Sequence, residues 1–165
     1  MKSIEDLLFE KLCDMINFGL SKIIKPDITI DKVTELDENQ IKELKQKYGI
    51  EGIILDVDET LRKDMKKIPK VNQEWIEKIG EQLKVIILSN GIDKNLEKYF
   101  EEKGIGYISF AHKPLKKNFI KACEELNINP EKMLTVGDSV IDDVLGGKIN
   151  KMKTALVRNV EDEER

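Results

Sequence analysis

The chain has 165 residues, 40% of them hydrophobic and 36% charged, with a formal net charge of −4 at pH 7. That size and balance fit one globular domain with a sizeable core and exclude a disordered or fibrous chain. The acidic sum gives no global affinity for nucleic acid, and no apolar run approaches the about 18 residues of a membrane span.

In chain order, Ile4, Leu7, Leu8, Leu12, Met15, Ile16, Leu20, Ile23 and Ile24 recur at helical spacing. They predict an amphipathic helix over residues 1–25, ending before Pro26. Its apolar side is expected to pack on the domain or on a second subunit, which leaves a homo-oligomer open. A membrane surface is the alternative, disfavoured by a polar side that mixes acids with lysines. Glu5, Asp6 and Glu10 do not suit a signal peptide, and Cys13 and Cys123 stand far apart with no CxxC spacing. A reduced, cytoplasmic protein with inert core thiols and no zinc site is the expectation, with membrane association dependent on the first helix.

Asp37 to Gln40 has capping-box spacing, and Gly49 is placed to stop the helix that it opens. From there short β-rich runs, at 52–57, 84–88, 106–110, 133–137 and 153–158, alternate with helical stretches near 72–80, 92–103, 115–126 and 140–149. Gly104 suits the position just past a helix end. Apolar strands alternating with helices predict an α/β fold, a three-layer Rossmann-like parallel sheet with helices on both faces, over residues 26–160. The last residues, 161–165, read as an acidic tail.

In such a sheet ligands bind where strands end. The first run ends in Asp56-Val57-Asp58-Glu59-Thr60, the second in Ser89-Asn90-Gly91 and the third in His112-Lys113-Pro114. The fourth ends in Gly137-Asp138-Ser139, with Asp142 and Asp143 just beyond. Four strand ends thus direct carboxylates, a hydroxyl, an amide and a lysine to one edge. Clustered carboxylates favour a hard divalent cation such as Mg²⁺, which also relieves their mutual repulsion. Ser89 and Lys113 are donors suited to a phosphoryl group, so phosphoryl transfer is the chemistry that this inventory supports.

DVDET, LSN, the lysine of HKP and GDSVIDD resemble, in order and spacing, the four motifs of the haloacid dehalogenase-like (HAD) phosphohydrolases. Pro26-Asp27, Trp75, the Ala111-to-Pro114 segment and the Gly137-to-Gly147 segment narrow the resemblance to HAD subfamily IIIA phosphatases of the YqeG type. Those in turn resemble phosphatidylglycerophosphate phosphatases. The resemblance covers roughly Pro26 to Val160. It implies Asp56 as nucleophile forming an aspartyl-phosphate, and Asp58 as the acid and base. It further implies Mg²⁺ on Asp56, Asp58 (through its backbone carbonyl) and Asp138, with Asp143 or Asp142 supporting the metal, and Asp143 favoured. Thr60, Ser89, Asn90 and Lys113 are the implied phosphate-binding residues, Thr60 also tying down the loop. Glu59, Gly91 and Asp142 depart from the family pattern without removing a catalytic group.

Only 24 residues, Leu61 to Lys84, and 22 residues, Gly91 to His112, separate the motifs where HAD enzymes carry cap domains. Neither gap holds one, so an open site that takes a bulky lipid or macromolecular phosphate is expected. Arg62, Lys63, Lys66, Lys67, Lys70, Lys116, Lys117, Lys148, Lys151 and Lys153 follow the motifs and are expected to surround that site, drawing an anionic partner or membrane. The competing explanation is a lysine-rich chain that places lysine on every solvated loop. His112 is expected to be a rim or structural residue, not a catalyst, and Trp75 to lie in the core or a subunit contact. Two other functions remain open: a receiver-like phospho-acceptor, disfavoured by the second aspartate of DxDxT, and a scaffold or assembly factor with little catalysis.

Overall fold

A computed structural model describes residues 3–161, in which six parallel strands run in the order β1-β6-β5-β2-β3-β4. They are β1 (Ile28–Ile30), β2 (Gly52–Leu55), β3 (Lys84–Leu88), β4 (Gly106–Ile108), β5 (Met133–Gly137) and β6 (Lys153–Val157). The helices are α1 (Ile4–Ser21), α2 (Glu38–Tyr48), α3 (Lys70–Gly80), α4 (Lys94–Glu102), α5 (Lys116–Leu126) and the short α6 (Gly146–Ile149).

The three layers follow from alternation along the central strand. Ile53 and Leu55 of β2 face one core, with Ile41 and Leu44 of α2, Trp75, Ile76 and Ile79 of α3, and Phe100 of α4. Ile54 faces the other, with Phe119, Ala122 and Cys123 of α5. All four residues of β2 are buried, as expected of a strand covered on both faces. Helix ends obey their local chemistry. The Asp37 carboxylate caps α2 by accepting from Gln40 N, and Gly49 closes it at φ 67°. Gly104, at φ 71°, ends α4 with Ile105 N donating to Phe100 O and its own N–H to Glu101 O.

The structure extends or narrows three expectations. A sixth strand, β1, is added at the sheet edge beside β6; three residues are too few to show as a strand in the sequence. The predicted helix at 140–149 forms, its first six residues, Val140–Leu145, as a π-helix that runs into α6. Of the two coverings expected for the apolar side of α1, the domain supplies only part: the helix packs against the π-helix, and Ile4, Leu8, Phe9, Met15 and Phe18 are exposed. Cys13 is half-buried on that helix, so only Cys123 is a core thiol. Trp75 is buried in the core and donates its indole N–H to Leu36 O at 2.8 Å.

One helix and a loop fill each gap between β2, β3 and β4, leaving no cap domain there. Among the described residues no helix is long and apolar enough to cross a membrane. Residues 162–165 of the acidic tail lie outside the described residues.

Candidate active site

The chain passes outward from β2 to β3 and β4, then returns to place β5 on the other side of β2. That reversal opens a crevice between the carboxyl ends of β2 and β5, the usual ligand position in an open α/β sheet. Asp56 follows β2 there and Asp138 follows β5, while Ser89 and Lys113 arrive from the β3 and β4 sides.

Lys113 organises the centre. Its ammonium is buried and donates to Asp56 Oδ1 at 2.8 Å and to Asp143 Oδ1 at 2.6 Å. Burial disfavours the charged lysine, but the carboxylates of Asp143 and Asp56 outweigh it and hold the pKa above the ordinary lysine value. Asp143 is spent on both oxygens, since its Oδ2 accepts Ser139 N at 3.1 Å. Gly137 makes room for it: a Cβ on that residue would lie 2.1 Å from the Asp143 carboxylate.

Thr60 is fully buried behind these groups. Its hydroxyl donates to Asp56 Oδ2 at 3.0 Å and reaches Asp138 Oδ1 at 3.3 Å. It therefore ties the loop to the carboxylates and does not face the opening as a phosphate ligand would. Asn90, also expected on phosphate, is committed to protein partners: it accepts from Lys113 N at 2.7 Å and donates to Asp142 Oδ2 at 3.2 Å. Ser89 is buried, and its hydroxyl accepts Gly91 N at 3.2 Å. Asp142 is half-buried beside the central cluster, where burial raises its pKa against the pull of Lys113. His112 is exposed at the rim with its ring against Phe110.

Asp56, Asp138 and Asp143 bring carboxylate oxygens within 4.8 Å of one another. Withdrawal from water, then the Asp56 and Asp143 charges, push the Asp138 pKa up to about 8, although its surface lies at the open rim. Burial pushes Asp143 up to about 7 against the pull of Lys113. One lysine does not balance three carboxylates. This hard, all-oxygen and under-compensated donor set fits a divalent cation.

Two partners of the acids at this edge were not legible in the sequence. Arg62 belongs by sequence to the lysine-rich loop but is buried, donating from Nε to Asp58 Oδ1 at 2.7 Å and from Nη1 to Asp93 Oδ2 at 2.8 Å. Asp93, whose pKa is lowered chiefly by Arg62 and next by Leu96 N, caps α4. The four-residue step from Asp58 to Arg62 was the available signal. Lys148, Lys151 and Lys153 do not surround this edge. They precede or begin β6, at the opposite end of the strands, where Lys148 lies 3.7 Å and Lys153 4.0 Å from Asp27. Glu59 turns away from the cluster at φ 60°, its carboxylate accepting Asp64 N at 2.9 Å.

Residues 80–149 match the family model of the haloacid dehalogenase-like hydrolases. The "Probable phosphatase YqeG" of Bacillus subtilis (strain 168) is 32% identical over 140 residues, covering 84% of this chain and 79% of that protein. The chain belongs to the haloacid dehalogenase-like hydrolases, among their YqeG-type phosphatases. Solved structures agree in fold. An uncharacterized protein from Listeria monocytogenes serotype 4b aligns with TM-score 0.55 and 19% identity, over 70% of this chain and 84% of that one. The cobalt-bound deoxy-D-mannose-octulosonate 8-phosphate phosphatase of Haemophilus influenzae aligns with TM-score 0.52 and 18% identity, over 67% and 77%.

Proposed function

We propose that this HAD-family phosphatase hydrolyses a phosphate monoester through an aspartyl-phosphate on Asp56, with Mg²⁺ as cofactor. The observation that carries the proposal is the Asp56 carboxylate itself. Lys113 holds one oxygen and Thr60 the other, at the crevice between β2 and β5. A carboxylate so fixed needs little reorganisation to attack.

An Asp56 oxygen attacks phosphorus as the bond to the leaving oxygen breaks, and Asp58 gives that oxygen its proton. Water then attacks the phosphorus of the acyl phosphate and surrenders a proton to Asp58. The bond to Asp56 breaks, releasing inorganic phosphate and restoring the carboxylate. Ser89 and Lys113 donate to the phosphoryl oxygens; two of the three ammonium N–H groups are already taken by Asp56 and Asp143. Mg²⁺ would be held by Asp56, Asp138 and the Asp58 carbonyl, with Asp143 behind them, and when bound supplies charge neutralisation at the phosphoryl oxygens.

For substrate we infer a phosphate carried by a bulky, partly apolar molecule, with a lipid phosphate as the leading class. Met65, Ile92, Phe110 and Leu115 are exposed on loops of the same edge, which also carries Lys67, Lys116 and Lys117. A cleft of about 490 Å³ adjoins the Asp58 side, lined by Met65, Ile68, Leu96 and Tyr99 with Arg62. The exposed apolar residues of α1 would offer a lipid aggregate further apolar contact.

Purified protein with p-nitrophenyl phosphate and Mg²⁺ should turn over, and Asp56→Asn should lower kcat by on the order of 10⁴-fold or more. Turnover that survives this substitution overturns the role of Asp56. Stoichiometric phosphorylation without release would instead support a phospho-acceptor. A screen of lipid, nucleotide, sugar and protein phosphates, beginning with phosphatidylglycerophosphate, tests the substrate class.

A further inference from the structure

Among the cations of the loop after β2, Arg62 is distinguished by burial: 5% of its surface is exposed, in a segment whose lysines face solvent. Both its backbone and its side chain bind the turn that carries Asp58. Its carbonyl accepts Glu59 N at 2.8 Å and its N–H donates to Val57 O at 3.2 Å. Its guanidinium then bridges two carboxylates, Asp58 Oδ1 and Asp93 Oδ2, at 2.7 and 2.8 Å. The other oxygen of Asp93 is occupied as well, accepting Leu96 N at 3.0 Å at the start of α4. A continuous strut thus runs from α4 through Asp93 and Arg62 to Asp58.

The strut treats the two Asp58 oxygens differently. Oδ1 is taken by Arg62. Oδ2 lies over Gly91, 3.5 Å from the point that a Cβ there would occupy, and Ser89 Oγ lies 3.6 Å from the same point. Asp58 Oδ2 and the Ser89 hydroxyl therefore border one space, left open because residue 91 has no side chain. The planar guanidinium presents Nε to one acceptor and Nη1 to the other in a fixed relative orientation, a directional constraint that a freely rotating ammonium does not impose.

We propose that Arg62 is a positioning residue for the leaving-group side of the reaction, holding Asp58 Oδ1 so that Oδ2 is the oxygen presented to the departing group, with Asp93 as its anchor. The inference rests on the phosphatase reading given above. Its consequence is selective. Good leaving groups depart with little help from a proton, whereas poor ones depend on a correctly aimed acid.

The test is kcat/KM, with Mg²⁺, for phosphate esters of rising leaving-group pKa: 2,4-dinitrophenyl, p-nitrophenyl and phenyl phosphate, then glycerol 3-phosphate. Arg62→Gln should keep 2,4-dinitrophenyl phosphate within about 5-fold of wild type and lose roughly 100-fold on phenyl and alkyl phosphates. Arg62→Lys should show the same trend at intermediate size, and Asp93→Asn a smaller one of the same sign. Because each variant is compared with itself across substrates, partial unfolding lowers all rates alike and leaves the trend intact. If Arg62→Gln does not fold, the other two variants carry the test. Equal losses across the series, or none, overturn the inference while leaving the phosphatase reading in place. A wild-type protein that hydrolyses none of these esters fails the phosphatase reading instead.

Discussion

The two ends of the sheet carry the same residue types and put them to different uses. At the amino end, Asp27 accepts Thr154 N at 2.9 Å and Thr154 Oγ1 at 3.1 Å, with Lys148 and Lys153 nearby. That acid is satisfied by local donors, and its work is to fasten β1 to β6. At the carboxyl end, Asp56, Asp58, Asp93, Asp138, Asp142 and Asp143 gather around two cations, Lys113 and Arg62, that are the only buried ones among the described residues. Aspartate beside lysine therefore does not mark a site. An excess of carboxylates that the protein's own cations leave uncompensated does, and it calls for a metal and an anionic ligand together.

The largest effect expected on this contrast is at Gly137. Gly137→Ala places a Cβ on the Asp143 carboxylate, and displacing that carboxylate breaks its buried pair with Lys113. Breaking such a pair costs about 3–5 kcal/mol, so urea unfolding should show a loss of that size together with lost phosphatase activity. A variant of wild-type stability and activity would show that Asp143 does not have to sit there. At the other end, Asp27→Ala should cost about 1–3 kcal/mol in the same unfolding experiment, by leaving the Thr154 donors unpaired, with kcat/KM unchanged. A loss of activity there would break the division between the two ends.

The smallest effect belongs to Glu59, the acid of the DxDxT turn that joins neither group. It holds a left-handed conformation that costs an ordinary L-residue roughly 1–2 kcal/mol. Glu59→Asn should raise the melting temperature by about 2–4 °C, reduced by whatever the Glu59–Asp64 hydrogen bond contributes. A lower melting temperature would mean that this hydrogen bond outweighs the backbone strain.

The sheet, its two covered faces and the gathering of Asp56, Ser89, Lys113 and Asp138 were legible because a β/α rhythm sends every strand end to one edge. What escaped depends on direction in space. Arg62 and Asp93 meet across 31 positions only because both side chains turn inward, which no spacing rule conveys. Lys148, Lys151 and Lys153 are near Asp138 in sequence, yet the π-helix and α6, which carries Lys148 itself, take the chain back across the domain to the start of β6. Thr60 and Asn90 carry the right chemistry for phosphate, but their hydrogen bonds go to the protein. The apolar stripe of α1 showed its helix and could not show what covers it.

The central claim is a covalent phosphoryl group on Asp56. Protein quenched during turnover of p-nitrophenyl phosphate with Mg²⁺ and reduced with borohydride should carry homoserine at position 56, the reduction product of an aspartyl-phosphate, and Asp56→Asn should carry none. Trapping at another residue, or steady turnover with no reduced product at position 56, would contradict the account.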